Sequence, residues 1–477
     1  MNVEDAIRKR RTLGACWGSG IGKGMALQAV CRYKCPYRKV FGFKFFSSFL
    51  LNPFKKTSGN FRADNMNEMN VSLLDSLGDM NVWVDFYEQK VGPDFFRLSD
   101  AKELFHYIRS GGYEPVVARI LAGEGLSIPV KKRIAKADST KKRVVYSMPE
   151  DETVVLKLLT WLMIRKYDSC LSRNLYSFRP HYGAKDTLRK LLKNTDIADS
   201  YSYKLDVSNY FNSIDVDLLL PMLKELFHDD EPLYRFISTQ LRDPRAFQEG
   251  KVVEEKKGVM AGIPYAVFLA NVFLSPLDRE FEDMPEVVYC RYSDDIIIFS
   301  KDKEILEKAR QRLHAYLDRV HLGINPAKVV ETLPGESWTF LGFTCDGKDI
   351  DVSEVSVQKL KARMRRKARA LQRWSRGEGK DGRMAVRAFI KYFNRKLYTS
   401  ESASEVNWSW WYFPLITTDR SLKMIDAYMQ DCIRFVATGS RTKSRFNFRY
   451  EQMKDLGLFT LVNMWYKYKN GEMMKIS

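Results

Sequence analysis

The stretch YCRYSDDIIIFS, residues 289–300, sets two adjacent carboxylates, Asp294 and Asp295, between flanks that read as buried strands. Tyr289 to Tyr292 and Ile296 to Phe299 have the aromatic and β-branched character of core strands, so Ser293-Asp294-Asp295 is predicted to form a tight hairpin tip. A solvated turn would explain an Asp-Asp pair by itself. It does not explain a second strand of the same kind. In SYKLDVSNYFNSID, residues 202–215, the apolar alternation ends at Asp206, and NYFNSI turns into a helix beyond it. A lone aspartate there is most often a helix cap or a surface group. Three carboxylates at two strand ends are a different matter, because like charges brought together are unfavourable without cations. Two divalent metals are their natural complement. Held about 4 Å apart, such ions activate an attacking hydroxyl and stabilise the leaving oxygen of an in-line phosphoryl transfer.

Composition narrows the partner. The 477 residues carry 78 Lys and Arg against 59 Asp and Glu, a formal charge of +19, which favours a polyanion. Nucleic acid is expected rather than a membrane, since the longest apolar candidate, Val40 to Phe54, is broken by Lys44 and Pro53. Glu4 and Asp5 ahead of a basic run argue against a signal peptide. Seven scattered cysteines, at 16, 31, 35, 170, 290, 345 and 432, fit reduced thiols and a cytoplasmic location. Cys16, Cys31 and Cys35 lack a fourth neighbour for zinc. WGSGIGKGMA, residues 17–26, fails as a phosphate loop because Trp17 stands where a Gly is needed and Gly24 follows Lys23. Residues 1–65 are expected to be a basic extension, flexible or the product of an upstream start.

Further along, a helix is predicted from about Leu98 to a stop at Gly111-Gly112, then a basic hairpin over Ile128 to Glu150, then a long helix from Asp151. Tyr201 to Phe343 alternates strands and helices. Between Val357 and Lys396 there are 15 Lys or Arg and two acids, read as a cationic helix. From Trp408 the tail is aromatic and helical. Trp408, Trp410, Trp411, Tyr412 and Phe413 are assigned to packing or an interface in preference to base stacking.

From about Ile128 to Phe343 these fragments, in order, resemble a bacterial reverse transcriptase related to the group II intron and retron-type enzymes. The resemblance implies an α+β right-hand polymerase with fingers, ferredoxin-like palm and helical thumb, plus a helical C-terminal extension. RIAKADSTKKRVV resembles the fingers hairpin, which implies Lys136 and Arg143 as contacts to the nucleotide triphosphate. NLYSFRPHYGAKDTL, residues 174–188, resembles a group II intron and retron-type element. KLDVSNYFNSID resembles the first catalytic motif, with Asp206 binding both metals, the Val207 carbonyl assisting and Phe211 as a steric gate against a 2′-hydroxyl. GVMAGIPYAVFLANVFLSPLD supplies Gly262 near the nascent pair, and RYSDDIII supplies Asp294 and Asp295. LGINPAKV offers Lys328 as proton donor to pyrophosphate, and FLGF offers Phe340, Leu341 and Gly342 as a primer grip.

The second motif usually reads PQGSP in group II intron enzymes and here reads MAGIP, so Ala261 and Ile263 remove two hydrogen-bonding side chains. The tail resembles those of the defence-associated "unknown group" enzymes. The reading is an RNA-directed DNA polymerase using two Mg2+ ions, with Mn2+ as an alternative. It would make cDNA from deoxynucleoside triphosphates on a dedicated noncoding RNA in anti-phage defence, without a membrane, with a homo-oligomer left open. Alternatives are a template-independent or protein-primed DNA polymerase and an RNA-binding maturase-like scaffold. Expected boundaries are an extension over 1–65, fingers and palm over 66–345, a basic thumb-like region over 346–400 and an aromatic-rich helical region over 401–477.

Overall fold

The computed structural model describes residues 71–91, 98–135, 142–180, 182–377, 381–398 and 407–472. Four helices lead in: α1 (Leu73–Ser76), α2 (Met80–Val91), α3 (Leu98–Arg109) and α4 (Glu114–Leu121). The buried Asp230 carboxylate accepts from the Ser72 hydroxyl at 2.6 Å and from the Leu73 N–H at 2.8 Å, the latter an amide that the start of α1 leaves open. Trp83 is fully buried, stacked on Tyr113 with ring centroids 4.6 Å apart. The helix predicted from Leu98 ends at Arg109, just before the two glycines, as expected.

The basic hairpin is present as β1 (Val130–Ala135) and β2 (Lys142–Ser147), paired antiparallel. Its turn, and with it Lys136, lies outside the described residues. The long helix α5 (Glu150–Tyr167) opens with three acids and closes with Arg165 and Lys166, the arrangement its dipole favours. Its buried Glu152 accepts from the Ser127 N–H and hydroxyl and from Arg119. After α6 (Ala184–Lys193) comes β3 (Tyr201–Asp206), then α7 (Tyr210–Ser213), α8 (Val216–Leu226) and α9 (Glu231–Arg242). The short hairpin of β4 (Arg245–Gln248) and β5 (Lys251–Glu254) returns to the β1–β2 hairpin. There β4 pairs parallel with β1 at Val130 and Phe247, giving the sheet order β2-β1-β4-β5.

Two apolar helices, α10 (Ala266–Phe273) and α11 (Ser275–Glu282), precede the central hairpin of β6 (Val288–Tyr292) and β7 (Asp295–Ser300). Helix α12 (Lys303–Arg319) then leads to β8 (Val330–Thr332). The central sheet has the order β6-β7-β3-β8, all antiparallel. Helices follow its first and third strands in sequence, which is the β-α-β-β-α-β ferredoxin-like arrangement expected for the palm. Residues 296–300 are buried throughout because both faces are covered. Ile297 and Phe299 pack with Leu188 and Leu191 of α6 and with Trp338, while the alternating Ile296 and Ile298 turn to the opposite face.

A further small sheet is formed by β9 (Trp338–Phe340), β10 (Phe343–Asp346) and β11 (Asp349–Val352). The cationic segment is two helices, not one: α13 (Glu354–Gly377) and α14 (Gly382–Tyr398). Asp381 explains the restart, since its carboxylate accepts from the Arg383 N–H at 2.9 Å. The tail forms α15 (Trp408–Tyr412), α16 (Arg420–Thr438), α17 (Tyr450–Asp455) and α18 (Leu461–Lys469). Buried apolar residues of α13, α14 and α16 share one core with the β9–β11 sheet. Tyr412 and Phe413 are buried in it, with Trp408 and Trp411 packed against it, so this aromatic cluster is largely core. No described helix is long and apolar enough to cross a membrane.

Candidate active site

Asp206 closes β3 and pairs in register with Asp295, which opens β7. With Asp294 at the intervening turn, the three carboxylates offer oxygens that all lie within 4.8 Å of one another. Backbone bonds fix this meeting. The Val207 N–H donates to the Asp294 carbonyl at 3.0 Å, the Asn325 N–H to the Asp206 carbonyl at 3.0 Å, and the Ser208 N–H to the Gly323 carbonyl at 2.7 Å. Val207 itself is buried.

The hairpin tip carries strain, because Ser293 sits at φ 60, a left-handed conformation that non-glycine residues seldom adopt. Polar contacts buried below it hold it there. The Ser293 N–H donates to the Ser177 hydroxyl at 2.9 Å, and Ser177 is paired with Asn271. Arg291, fully buried, donates to the Ser293 carbonyl at 3.3 Å and the Asn271 carbonyl at 3.2 Å. Its guanidinium is bound in fork geometry by the equally buried Asp278, which also accepts from the Tyr289 hydroxyl at 2.8 Å. Ser177 thus gives the NLYSFRPHYGAKDTL element a physical role: it is a prop for the acidic turn.

Burial and then the charge of Asp206 push the Asp294 carboxyl above its ordinary range. Burial, followed by Asp294 and Asp206, pushes Asp295 up to about 6. A cluster that resists its own ionisation fits a site completed by cations, and its oxygen donors suit hard divalent ions such as Mg2+. Lys328 forms an ion pair with Asp206. Arg143, exposed on β2, is close enough to oppose the rise at Asp294.

Phe211, half-buried on α7, accepts the Val259 N–H on its carbonyl at 2.9 Å. Asn212 beside it ties three segments together. Its amide donates to the Val144 carbonyl on β2 at 3.1 Å, and its carbonyl oxygen accepts the Ala261 N–H at 2.8 Å. The Ala261 carbonyl in turn accepts from the Tyr146 N–H at 2.8 Å. Gly262 has φ 107, and a Cβ there would lie 2.5 Å from the Tyr146 carbonyl, so glycine lets this loop lie directly on β2. The loop docks through its backbone, which is why Ala261 can occupy its place without a polar side chain.

Phe340 is buried, and Leu341 and Gly342 form the turn from β9 to β10. Lys204, two residues before Asp206, donates to the Thr339 carbonyl at 2.8 Å and to its hydroxyl at 2.9 Å, which ties this turn to the catalytic-looking strand. Neither Lys204 nor Asn212 carried a sequence signal. Arg291 did, as a charged residue inside an otherwise apolar strand.

Residues 134–345 match the family model for reverse transcriptase (RNA-dependent DNA polymerase). Retron Ec83 reverse transcriptase from Escherichia coli is 27% identical over 153 residues, which is 30% of this chain and 47% of that protein. The chain therefore matches less than half the length of this curated relative. Among solved structures, apo telomerase from Candida tropicalis truncated from its C-terminal domain has a TM-score of 0.39 at 12% identity, covering 59% of this chain and 79% of that one. Telomerase from Candida albicans with a fragment of telomeric RNA has a TM-score of 0.38 at 12% identity, covering 74% and 71%.

Proposed function

Given a reverse transcriptase domain over residues 134–345, we propose that the protein is an RNA-directed DNA polymerase that copies a dedicated noncoding RNA into cDNA in anti-phage defence. The observation that carries the polymerase reading is the convergence of Asp206, Asp294 and Asp295 on adjoining strand ends. These carboxylates, with the Val207 carbonyl, would hold two Mg2+ ions, or Mn2+ in their place. When bound, the ions would neutralise the cluster and act as Lewis acids on the attacking 3′-hydroxyl and the leaving oxygen. Arg143, and Lys136 beyond the described residues, would receive the triphosphate of the incoming nucleotide. Lys328, half-exposed beside the cluster, would return a proton to departing pyrophosphate. Gly262 would border the nascent pair, and residues 340–342 would grip the primer.

Helix α13 is suited to tracking a phosphate backbone, since Lys359, Lys361, Arg363, Arg365, Arg366 and Arg369 follow one another on it. The helical region over 346–400 would then be the thumb, following fingers and palm over 66–345, with 401–477 behind it. The retron reverse transcriptase relative supports the polymerase reading, and the resemblance of the tail to defence-associated enzymes supports the defence role and the noncoding RNA template.

Extension of a DNA primer on an RNA template tests the reading. Deoxynucleotides should be incorporated with Mg2+ or Mn2+, and incorporation should stop on chelation or on prior removal of the RNA. Synthesis persisting without RNA would favour a template-independent enzyme instead. In cells, phage protection should require the noncoding RNA that the protein copies. Phe211 provides a second check. If its ring walls off the 2′-hydroxyl, Phe211→Ala should raise ribonucleotide over deoxynucleotide incorporation about 100-fold, read as the ratio of kcat/KM values.

A further inference from the structure

The turn between β9 and β10 adopts a conformation that its sequence alone would not keep. Leu341 has φ 50 and Gly342 has φ 87, so a leucine occupies the left-handed region and the surroundings must hold it there. They do so from two sides. On the palm side, Lys204 bonds Thr339. On the other side, the Ser353 N–H donates to the Gly342 carbonyl at 2.9 Å, and the Ser353 hydroxyl donates to that of Ser356 at 3.0 Å. The Ser356 hydroxyl and the phenol of Tyr412 converge on Gly342. Tyr412 lies so close to the turn that a Cβ on Gly342 would stand 2.9 Å from its Oη and 3.2 Å from Ser356 Oγ.

Tyr412 belongs to α15, outside the stretch that matches the reverse transcriptase family. Its ring packs on Phe343 with centroids 5.0 Å apart and on Trp408 at 4.5 Å. Beyond it the chain stays on the same sheet. The Thr417 N–H donates to the Ile350 carbonyl at 2.9 Å, the Ile350 N–H donates to the Thr417 hydroxyl at 2.8 Å, and the Ser421 hydroxyl donates to the Val352 carbonyl at 3.2 Å. Packing alone would need only the aromatic ring. Here a hydroxyl is brought into a buried place and stands over Gly342 beside the Ser356 hydroxyl.

We propose that Tyr412 is a positioning residue for the primer: its hydroxyl, together with Ser356, braces the 341–342 turn and so sets where the primer 3′-hydroxyl lies relative to Asp206, Asp294 and Asp295. This rests on the reading of residues 340–342 as a primer grip. The C-terminal region is then part of the polymerase centre's support, joined through the turn and Lys204 to the strand that carries Asp206.

Tyr412→Phe keeps the ring and removes the hydroxyl. In single-turnover extension of a primed RNA template by the full chain, it should slow the maximal rate about tenfold, since misplacing a reacting group costs rate steeply. The apparent affinity for the nucleotide should stay within about twofold, and Tm should stay close to wild type. Ser356→Ala should give the same slowing, and the double variant should be no slower than either single one, as expected for residues acting as one unit. A Tyr412→Phe rate equal to wild type would overturn the proposal. So would a loss shared equally by nucleotide affinity, a slowing accounted for by a fall in Tm, or single effects that multiply in the double variant. Failure of the folded wild type to extend any primer would instead reject the polymerase reading, and this inference with it.

Discussion

Asp294→Asn should lower primer extension about 10³-fold or more, a loss of ~4 kcal/mol in transition-state stabilisation, and leave the folded protein at least as stable as before. The two halves of this expectation have one cause. The Asp294 carboxyl is held above its ordinary range first by burial and then by Asp206, so its negative charge is a cost to the empty fold and an asset only to bound cations. An amide keeps the shape of the side chain, removes the repulsion and cannot replace the anionic ligand. Single-nucleotide incorporation at saturating Mg2+, measured beside thermal unfolding, separates loss of chemistry from loss of structure. Activity within tenfold of wild type would remove Asp294 from the assigned cluster and favour the scaffold reading. Phage protection that survived replacement of both Asp294 and Asp295 would do the same at the level of the cell.

Asp278→Ala should destabilise the protein by about 3–5 kcal/mol, the largest stability effect expected from a single substitution in this region. Arg291 and Asp278 are both fully buried, and the pair is bonded as a fork, with Nε to Oδ1 at 2.7 Å. Removing the carboxylate strands a guanidinium that has no water to turn to. Replacing both partners by apolar residues, Asp278→Leu with Arg291→Met, should recover most of the loss, because neither charge then needs solvation. Activity should not return with it. The Ser293 and Asn271 carbonyls would still lack the donor that steadies the left-handed turn carrying Asp294 and Asp295. A shift in urea midpoint for the single variant, largely reversed in the double one, together with low extension in both, is the pattern to look for. A single variant that unfolds at the wild-type midpoint would contradict the role given to this ion pair.

Strand patterning made the centre of the fold legible in the sequence. The run 202–206 ends in acid and the run 288–300 carries acid at its turn, and pairing the hairpin with the neighbouring strand brings these together with little freedom left. Residues whose importance depends on a distant partner were not legible. Lys204 is one more polar residue on an alternating strand until Thr339 comes within reach. Asn212 reads as a helix residue after Phe211, yet its amide spans β2 and the loop at Ala261. The cationic run from Val357 to Lys396 was correctly read as helical but not as two helices, because Asp381 acts as a cap only in a chain that turns there. The aromatic tail revealed burial through its composition, but not that Tyr412 would lie against a glycine far back in the chain.

The parallel contact between β1 and β4 has a consequence for synthesis. Val130 meets Phe247 across a stretch of chain that includes β2, β3 and the five helices α5 to α9. At ordinary elongation rates that interval is on the order of ten seconds. Until β4 emerges, the newly made β1–β2 hairpin shows an unpaired backbone edge on β1, a template for association with other nascent chains. Lys131, Lys132 and Arg133 lie along that edge strand. Their like charges, on neighbouring copies on a polysome, would repel one another and keep the edge vacant for its own late partner.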